Sequence, residues 1–566
     1  MMLKPLLMAA LLGVPACSDT APLPQPARAA AQPFSNEVAA AIRASVADAH
    51  VSGAPAASER AALAALYEPQ AYSPLWTEPP GRPNEDARDA LALVERAADD
   101  GLARDDYRYG ELASLASLLQ REATPPVRDV ARFDAALSVS VLRLFSDLHL
   151  GRVDPRSIGF RLHVPAEAHD FPALLLSSLA AHGIRETASA LQSPLAQYRS
   201  LGNALLRYRS LAQNPPSAIA SLSSGGVVRP GQSFASVQSL FRLLVSMGDL
   251  PADAPVPAAS ALYEGAVVEG VRRFQRRHGL DEDGILGRKT HAALAVPLAW
   301  RVRQIELALE RLRWLPDIGE RRLVAINIPM FQLWGWDSIP PDGAPSFMMS
   351  VIVGRALGTQ TPVFVEDMRE LIFRPYWNVP VSILREDMLP AIRRDPDYLR
   401  RENMEIVRGE GDDASPVEAT PENLARLARG LLRLRQRPGP QNALGLVKFV
   451  FPNAENVYMH ATPAQALFAR SRRDFSHGCV RVEDPVRLAE WVLAEQPEWT
   501  RDRILSAMAG PQTLHVAVKR PIQVILFYTT AAVMPDGAVR FAEDIYGHDA
   551  RLDAQMISSH QGLSPR

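Results

Sequence analysis

Phe475-Ser476-His477-Gly478-Cys479-Val480-Arg481-Val482 sets a cysteine directly behind a glycine, with short apolar-alternating runs on either side. Cysteine occurs only twice in the 566 residues, and the other copy, Cys17, lies inside a stretch that reads as an export signal. An exported chain with one mature thiol can neither staple itself by an internal disulfide nor build a thiolate metal cage. Cys479 is therefore either a small buried hydrophobe or a nucleophile, and its neighbours decide between the two.

A thiol nucleophile needs a base for its proton and donors for the oxyanion that forms when it attacks a carbonyl. Gly478 lets the backbone approach a substrate and present consecutive N–H groups, so Ser476, His477 and Gly478 read as one wall of an oxyanion hole. Two histidines offer themselves as the base, His477 and His460. The latter ends the strand-like run Asn456-Val457-Tyr458-Met459-His460. Taken singly, a histidine at a strand end is usually a solvated surface residue, Arg481 an ordinary cation and Tyr458 a core aromatic. Their grouping around one thiol favours an acyl-transfer site, and spacing alone does not choose between the histidines.

The segment Tyr458-x-His460 … Ser476-His477-Gly478-Cys479-Val480-Arg481 resembles the signature of the L,D-transpeptidases, cysteine enzymes that cross-link peptidoglycan. That resemblance implies His460 as general base and Cys479 as nucleophile. It leaves His477 beside the oxyanion hole, where the backbone amides of Gly478 and Cys479 are expected to hold the oxyanion, and has the backbone carbonyl of Ala461 orient the base. It also implies that Arg481 meets a carboxylate of the substrate stem peptide, which suits a guanidinium. Phe373-Arg374-Pro375-Tyr376-Trp377-Asn378-Val379-Pro380 matches the large Gram-negative branch, with Trp377 and Asn378 expected to line the substrate groove.

Outward from the site, the strand-like runs 323–328, 349–354 and 370–373 predict a β-rich catalytic domain over about 300–535, and the family fold is a β-sandwich. An insertion at about 381–446 carries helical signals and is expected to be a helical cap over the active site, limiting water around an acyl-enzyme. Residues 536–566 read as a C-terminal tail.

The N-terminal part is different in texture. Residues 36–230 are Ala- and Leu-rich with helical periodicity, and 72–76, 100–102 and 151–155 resemble the scaffold domain of the same branch. Residues 234–297 read as a three-helix module resembling a peptidoglycan-binding domain, with Phe274 on its core face and a scaffolding role favoured. The expected class is thus a multidomain α+β protein. Residues 1–17 have the charged, apolar and small-residue order of a secretory signal. Val14-Pro15-Ala16-Cys17 resembles a lipobox, which implies an outer-membrane lipid anchor on Cys17, and 18–35 would be a tether. The location expected is the periplasm.

A net charge of −2 leaves no electrostatic footprint for nucleic acid. The chemistry read here needs neither metal nor organic cofactor. Stem peptides are the expected partners, and carbapenem-type inhibitors the expected acylating agents. The acceptor stays open among a diaminopimelate amine, a protein, a D-amino acid and water. A non-catalytic wall-binding scaffold working through Phe274 and Gln275 is the rival from another class. A papain-type hydrolase fits less well, because this cysteine follows its candidate base.

Overall fold

The computed structural model describes residues 25–47, 57–162, 164, 169–215, 226–258, 262–316, 318–319, 321–395 and 397–561. Cys17 and the signal-like leader lie outside the described residues. A helix, Gln25–Ala47, begins inside the stretch 18–35 read as a tether.

Eight α-helices between Gln25 and Gln213 among the described residues form the N-terminal region. They gather round the long helix Val127–Leu150, which buries a continuous apolar face including Phe133, Leu137, Val141 and Phe145. Each such side chain contributes roughly 1.5–3 kcal/mol by leaving water. The helix also buries Asp134 completely, and its carboxylate accepts from the N–H groups of Leu75 and Trp76 and from the Tyr67 hydroxyl. Burial pushes Asp134 up to about 6, and these donors oppose the shift. The run 72–76 is thus a loop pinned to a buried carboxylate.

The helices Val237–Met247, Ala266–Arg277 and Arg288–Leu294 enclose the small core of the second module, with Phe274 at its centre. Gln275 is buried as well, and its amide is used internally. The amide nitrogen donates to Asp283, Ile285 and Thr290, and the amide oxygen accepts from the Gly284 N–H. That leaves Phe274 and Gln275 no surface with which to hold a glycan. Arg277, paired with Asp249 at 2.6 Å in the interior, also reaches the hydroxyl of Tyr208 in the scaffold helix Ala196–Gln213.

The start of the predicted catalytic domain is instead a bridging helix, Leu298–Arg313, that packs against Ala196–Gln213 through Ile305, Ala308, Leu309 and Leu312. Its Glu310 accepts from the N–H groups of Arg152 and Val153, which gives the turn 151–155 its structural purpose.

The large sheet of the C-terminal domain has nine strands: β1 (Leu323–Asn327), β2 (Gln332–Trp336), β3 (Phe347–Gly354), β4 (Phe364–Phe373), β5 (Val447–Val450), β6 (Met459–His460), β7 (Asp474–Ser476), β8 (Val480–Val482) and β9 (Leu514–Phe527). Their order is β7-β3-β8-β6-β5-β4-β9-β1-β2, and β2 also pairs with β3. Eight of these strands, all but β7, close into a circuit around one apolar core.

Two expectations change. The insertion is not purely helical. Its helical stretches Val381–Ile383, Leu384–Met388 and Leu389–Arg394 pack on a four-stranded sheet made by Trp377–Asn378, Arg433–Gln436, Met404–Arg408 and Ser415–Val417. Glu405, buried within that sheet, pairs with Arg435 at 2.7 Å and Arg437 at 2.6 Å. Nor is 536–566 a tail. Ala531–Val533 and Val539–Phe541 form a hairpin, and the helix His548–Gln561 buries Leu552 and Met556 against the catalytic core. Asp549 anchors that helix to Arg311 of the bridging helix at 2.5 Å, with both side chains in the interior. Among the described residues no helix is long and apolar enough to cross a membrane.

Candidate active site

Register places the chemistry. β6 runs parallel to β8, with Met459 opposite Val480 and His460 opposite Arg481. Met459 and Val480 are fully buried in the core. Alternation along the strands then puts Tyr458, His460, Cys479 and Arg481 together on the other face. On the far side β5 runs antiparallel to β6, and Lys448 stands opposite His460.

His460 is buried, and its Nδ1 lies 2.6 Å from the carbonyl oxygen of Ala461. A carbonyl only accepts, so Nδ1 carries the proton and Nε2 is left with its lone pair. Burial, with Arg481 and Lys448 close by, pushes His460 down to about 3. The imidazole is therefore neutral at physiological pH. The half-buried Cys479 makes a long hydrogen bond of 3.8 Å to the carbonyl of Asn456. Asn456 has a φ of +54°, a left-handed backbone that asparagine tolerates. Burial raises the thiol above its ordinary value, while Tyr458, Lys448 and Arg481 pull it back. At rest both groups are neutral, a thiol and an imidazole on one face of the sheet.

The turn before the thiol departs from expectation in one respect. Gly478 has a φ of +112°, which excludes other residues on backbone grounds, but its N–H donates to Ser476 Oγ at 3.2 Å. Ser476 in turn donates to the Cys479 carbonyl. Of the two amides expected to face an oxyanion, that of Gly478 is thus occupied, while the N–H of Cys479 has no acceptor among the described residues. The Gly478 carbonyl is held by Thr361 Oγ1 at 2.8 Å, and the Ser476 carbonyl by Thr359 Oγ1 at 3.2 Å. The Tyr546 hydroxyl meets both the Gly354 carbonyl and the Thr361 N–H, so a residue of the supposed tail fastens the loop that braces the thiol turn.

The remaining candidates divide. His477 faces the cap, its Nε2 lying 3.1 Å from Asp387 and 3.0 Å from the Arg355 guanidinium. Burial and Arg355 hold it below the ordinary histidine value. Arg481 has a buried Nε with no acceptor among the described residues, which leaves it able to bind an anion. Trp377 and Asn378 sit on the edge strand of the cap sheet. Trp377 packs on the cap's apolar core and Asn378 is exposed.

Sequence reading missed Lys448, Asn456, Thr359, Thr361 and Tyr546. Each acts through strand register or a loop crossing, and neither leaves a local motif. Among the described residues no group of three or more His, Cys, Asp or Glu side chains converges to hold a metal ion.

The arrangement suits acyl transfer to a thiol: a nucleophile, a base of fixed tautomer, an unoccupied amide donor and cations for a carboxylate substrate. Family models match three stretches: a scaffold domain at residues 61–205, a "putative peptidoglycan binding domain" at 235–294, and an L,D-transpeptidase catalytic domain at 321–521. A curated Haemophilus influenzae protein described as a "Putative L,D-transpeptidase" is 31% identical over 256 residues, 45% of this chain and 50% of that protein. The match therefore spans about half the length of that relative. The three domain matches agree with the helical region, the three-helix module and the β-rich domain seen in the fold.

Proposed function

We propose that this chain, which carries an L,D-transpeptidase catalytic domain beside scaffold and peptidoglycan-binding-type domains, is an L,D-transpeptidase working through a Cys479 thioester. His460 Nε2 takes the thiol proton, and Sγ bonds to the carbonyl carbon between the third and fourth residues of a tetrapeptide stem. The Cys479 N–H donates to the oxyanion. As the C–N bond breaks, the proton passes from His460 to the leaving D-Ala amine. The side-chain amine of a neighbouring diaminopimelate then attacks the thioester, forms a 3→3 cross-link and regenerates the thiol. The observation that carries this reading is the His460–Ala461 hydrogen bond, which leaves Nε2 unprotonated on a residue that strand register sets on the same sheet face as Cys479.

Transfer to a protein, a D-amino acid or water would use the same acyl-enzyme, and the site does not select among them. The burial of Phe274 and Gln275 argues against a purely glycan-binding role. Work on peptidoglycan places the protein outside the cytoplasm, and Cys17 is its candidate lipid anchor. Mass spectrometry after carbapenem treatment tests the chemistry. One covalent adduct is expected, absent from Cys479→Ala, and an adduct that persists in the variant overturns the assignment. Muropeptide analysis of cell walls with and without the gene identifies the acceptor.

A further inference from the structure

The row of residues Arg481 on β8, His460 on β6 and Lys448 on β5 puts a cation on each side of the base. Neighbouring strands lie about 4.8 Å apart, so the two cations stand on the order of 10 Å from one another with the imidazole between them. Arg481 has the role that the family resemblance implies. Lys448 has none. Its Nζ rests 3.9 Å from the centre of the Tyr458 ring, and it has no hydrogen bond or ion pair among the described residues. The acidic groups nearest to it, Glu370 and Asp412, are both taken by His515, at 2.8 Å each. Cys479 is near enough to act on its charge.

A half-buried ammonium without a counter-ion is costly, and a strand position on a partly covered face is filled more cheaply by an apolar β-branched residue. Such a group beside a nucleophile is a mark of a binding site. Resting on the acyl-transfer reading above, we propose that Lys448 is a second carboxylate-binding residue of the donor subsite and sets specificity for a stem peptide with a free carboxylate there. Two sources offer that chemistry: the C-terminal D-Ala carboxylate and the side-chain carboxylate of diaminopimelate.

The position also links binding to catalysis. Lys448 and Arg481 both disfavour an imidazolium at His460. A carboxylate settling on Lys448 cancels part of that field, so the base strengthens when the donor is in place.

The test is acyl-enzyme formation followed by mass spectrometry with three tetrapeptide donors: the free acid, the D-Ala C-terminal amide and the diaminopimelate amide. The wild type is expected to prefer the acid over an amide by roughly ten-fold or more, the size of one charge-assisted hydrogen bond, and the amide whose penalty is lost with Lys448, rather than the one answering to Arg481, identifies the carboxylate. Lys448→Met brings acid and amide to parity, while Lys448→Arg keeps the preference. Alkylation of Cys479 by iodoacetamide verifies that each variant retains its site. The inference is overturned if Lys448→Met keeps the wild-type preference, or if the wild type is acylated without discriminating either amide. A wild type that alkylates at Cys479 but is acylated by no donor refutes the transpeptidase reading, and this inference with it.

Discussion

On the proposed reading, the chemistry at Cys479 starts from neutral groups. A preformed thiolate–imidazolium pair would give an alkylation rate that is flat across neutral pH. Here His460 is pushed down to about 3 and the thiol above its ordinary value of 9.0. Both shifts favour the neutral forms. The rate of iodoacetamide alkylation should therefore keep rising with pH beyond 9, with no plateau between pH 5 and 8; a plateau there would reveal a preformed ion pair. Gly445 bears on the base from behind. A Cβ there would stand 2.6 Å from the Ala461 Cβ and 2.8 Å from its carbonyl carbon, the group that orients His460. Gly445→Ala should cut the acylation rate on the order of 100-fold with an unchanged far-UV circular dichroism spectrum. Near-normal acylation would mean that the imidazole does not depend on this carbonyl. The motif residues Cys479 and His460 were legible because they are contiguous with a glycine turn and a strand end. Lys448 was not, because its neighbours come from strand pairing alone.

Among the elements, the cap is tied to the sheet by His515, which bridges Glu370 of β4 and Asp412 of the cap. Both carboxylates raise its pKa above the ordinary 6.5, so the bridge is complete below that value and is lost as pH rises through the raised one. Hydrogen exchange over 404–417 should therefore quicken from neutral to mildly alkaline pH, and His515→Ala should remove the pH step. Half-exposed pairs of this kind are worth less than about 1 kcal/mol, so local opening is expected without global unfolding. An exchange rate that does not change with pH beyond its intrinsic dependence would exclude the bridge. The cap's helices were visible from periodicity. Its sheet was not, since Met404–Arg408 and Arg433–Gln436 are short and carry buried Glu405 and Arg435, charges that mask an apolar alternation.

In the whole molecule, buried charged side chains join the parts. Arg277 links the three-helix module to Tyr208 of the scaffold, Glu310 receives the turn 151–155, and Arg311 holds the C-terminal helix through Asp549. Removing one partner strands the other charge in the interior, so Asp549→Ala should cost about 3–5 kcal/mol in urea denaturation. A loss under about 1 kcal/mol would make the C-terminal helix peripheral. That helix was read as a tail because its apolar residues are few and its decisive contacts lie far upstream. By itself the sequence determined the order of the domains, the strand-rich character of the C-terminal part and the grouping of Cys479 with two candidate bases, His460 and His477. All of these depend on periodicity or on residues adjacent in the chain. Only the tertiary structure decided that β2 closes on β3, that the Cys479 N–H rather than that of Gly478 is open to an oxyanion, and that Lys448 stands beside the base. Register and loop crossing join residues tens to hundreds of positions apart, and no local pattern records which of them will meet.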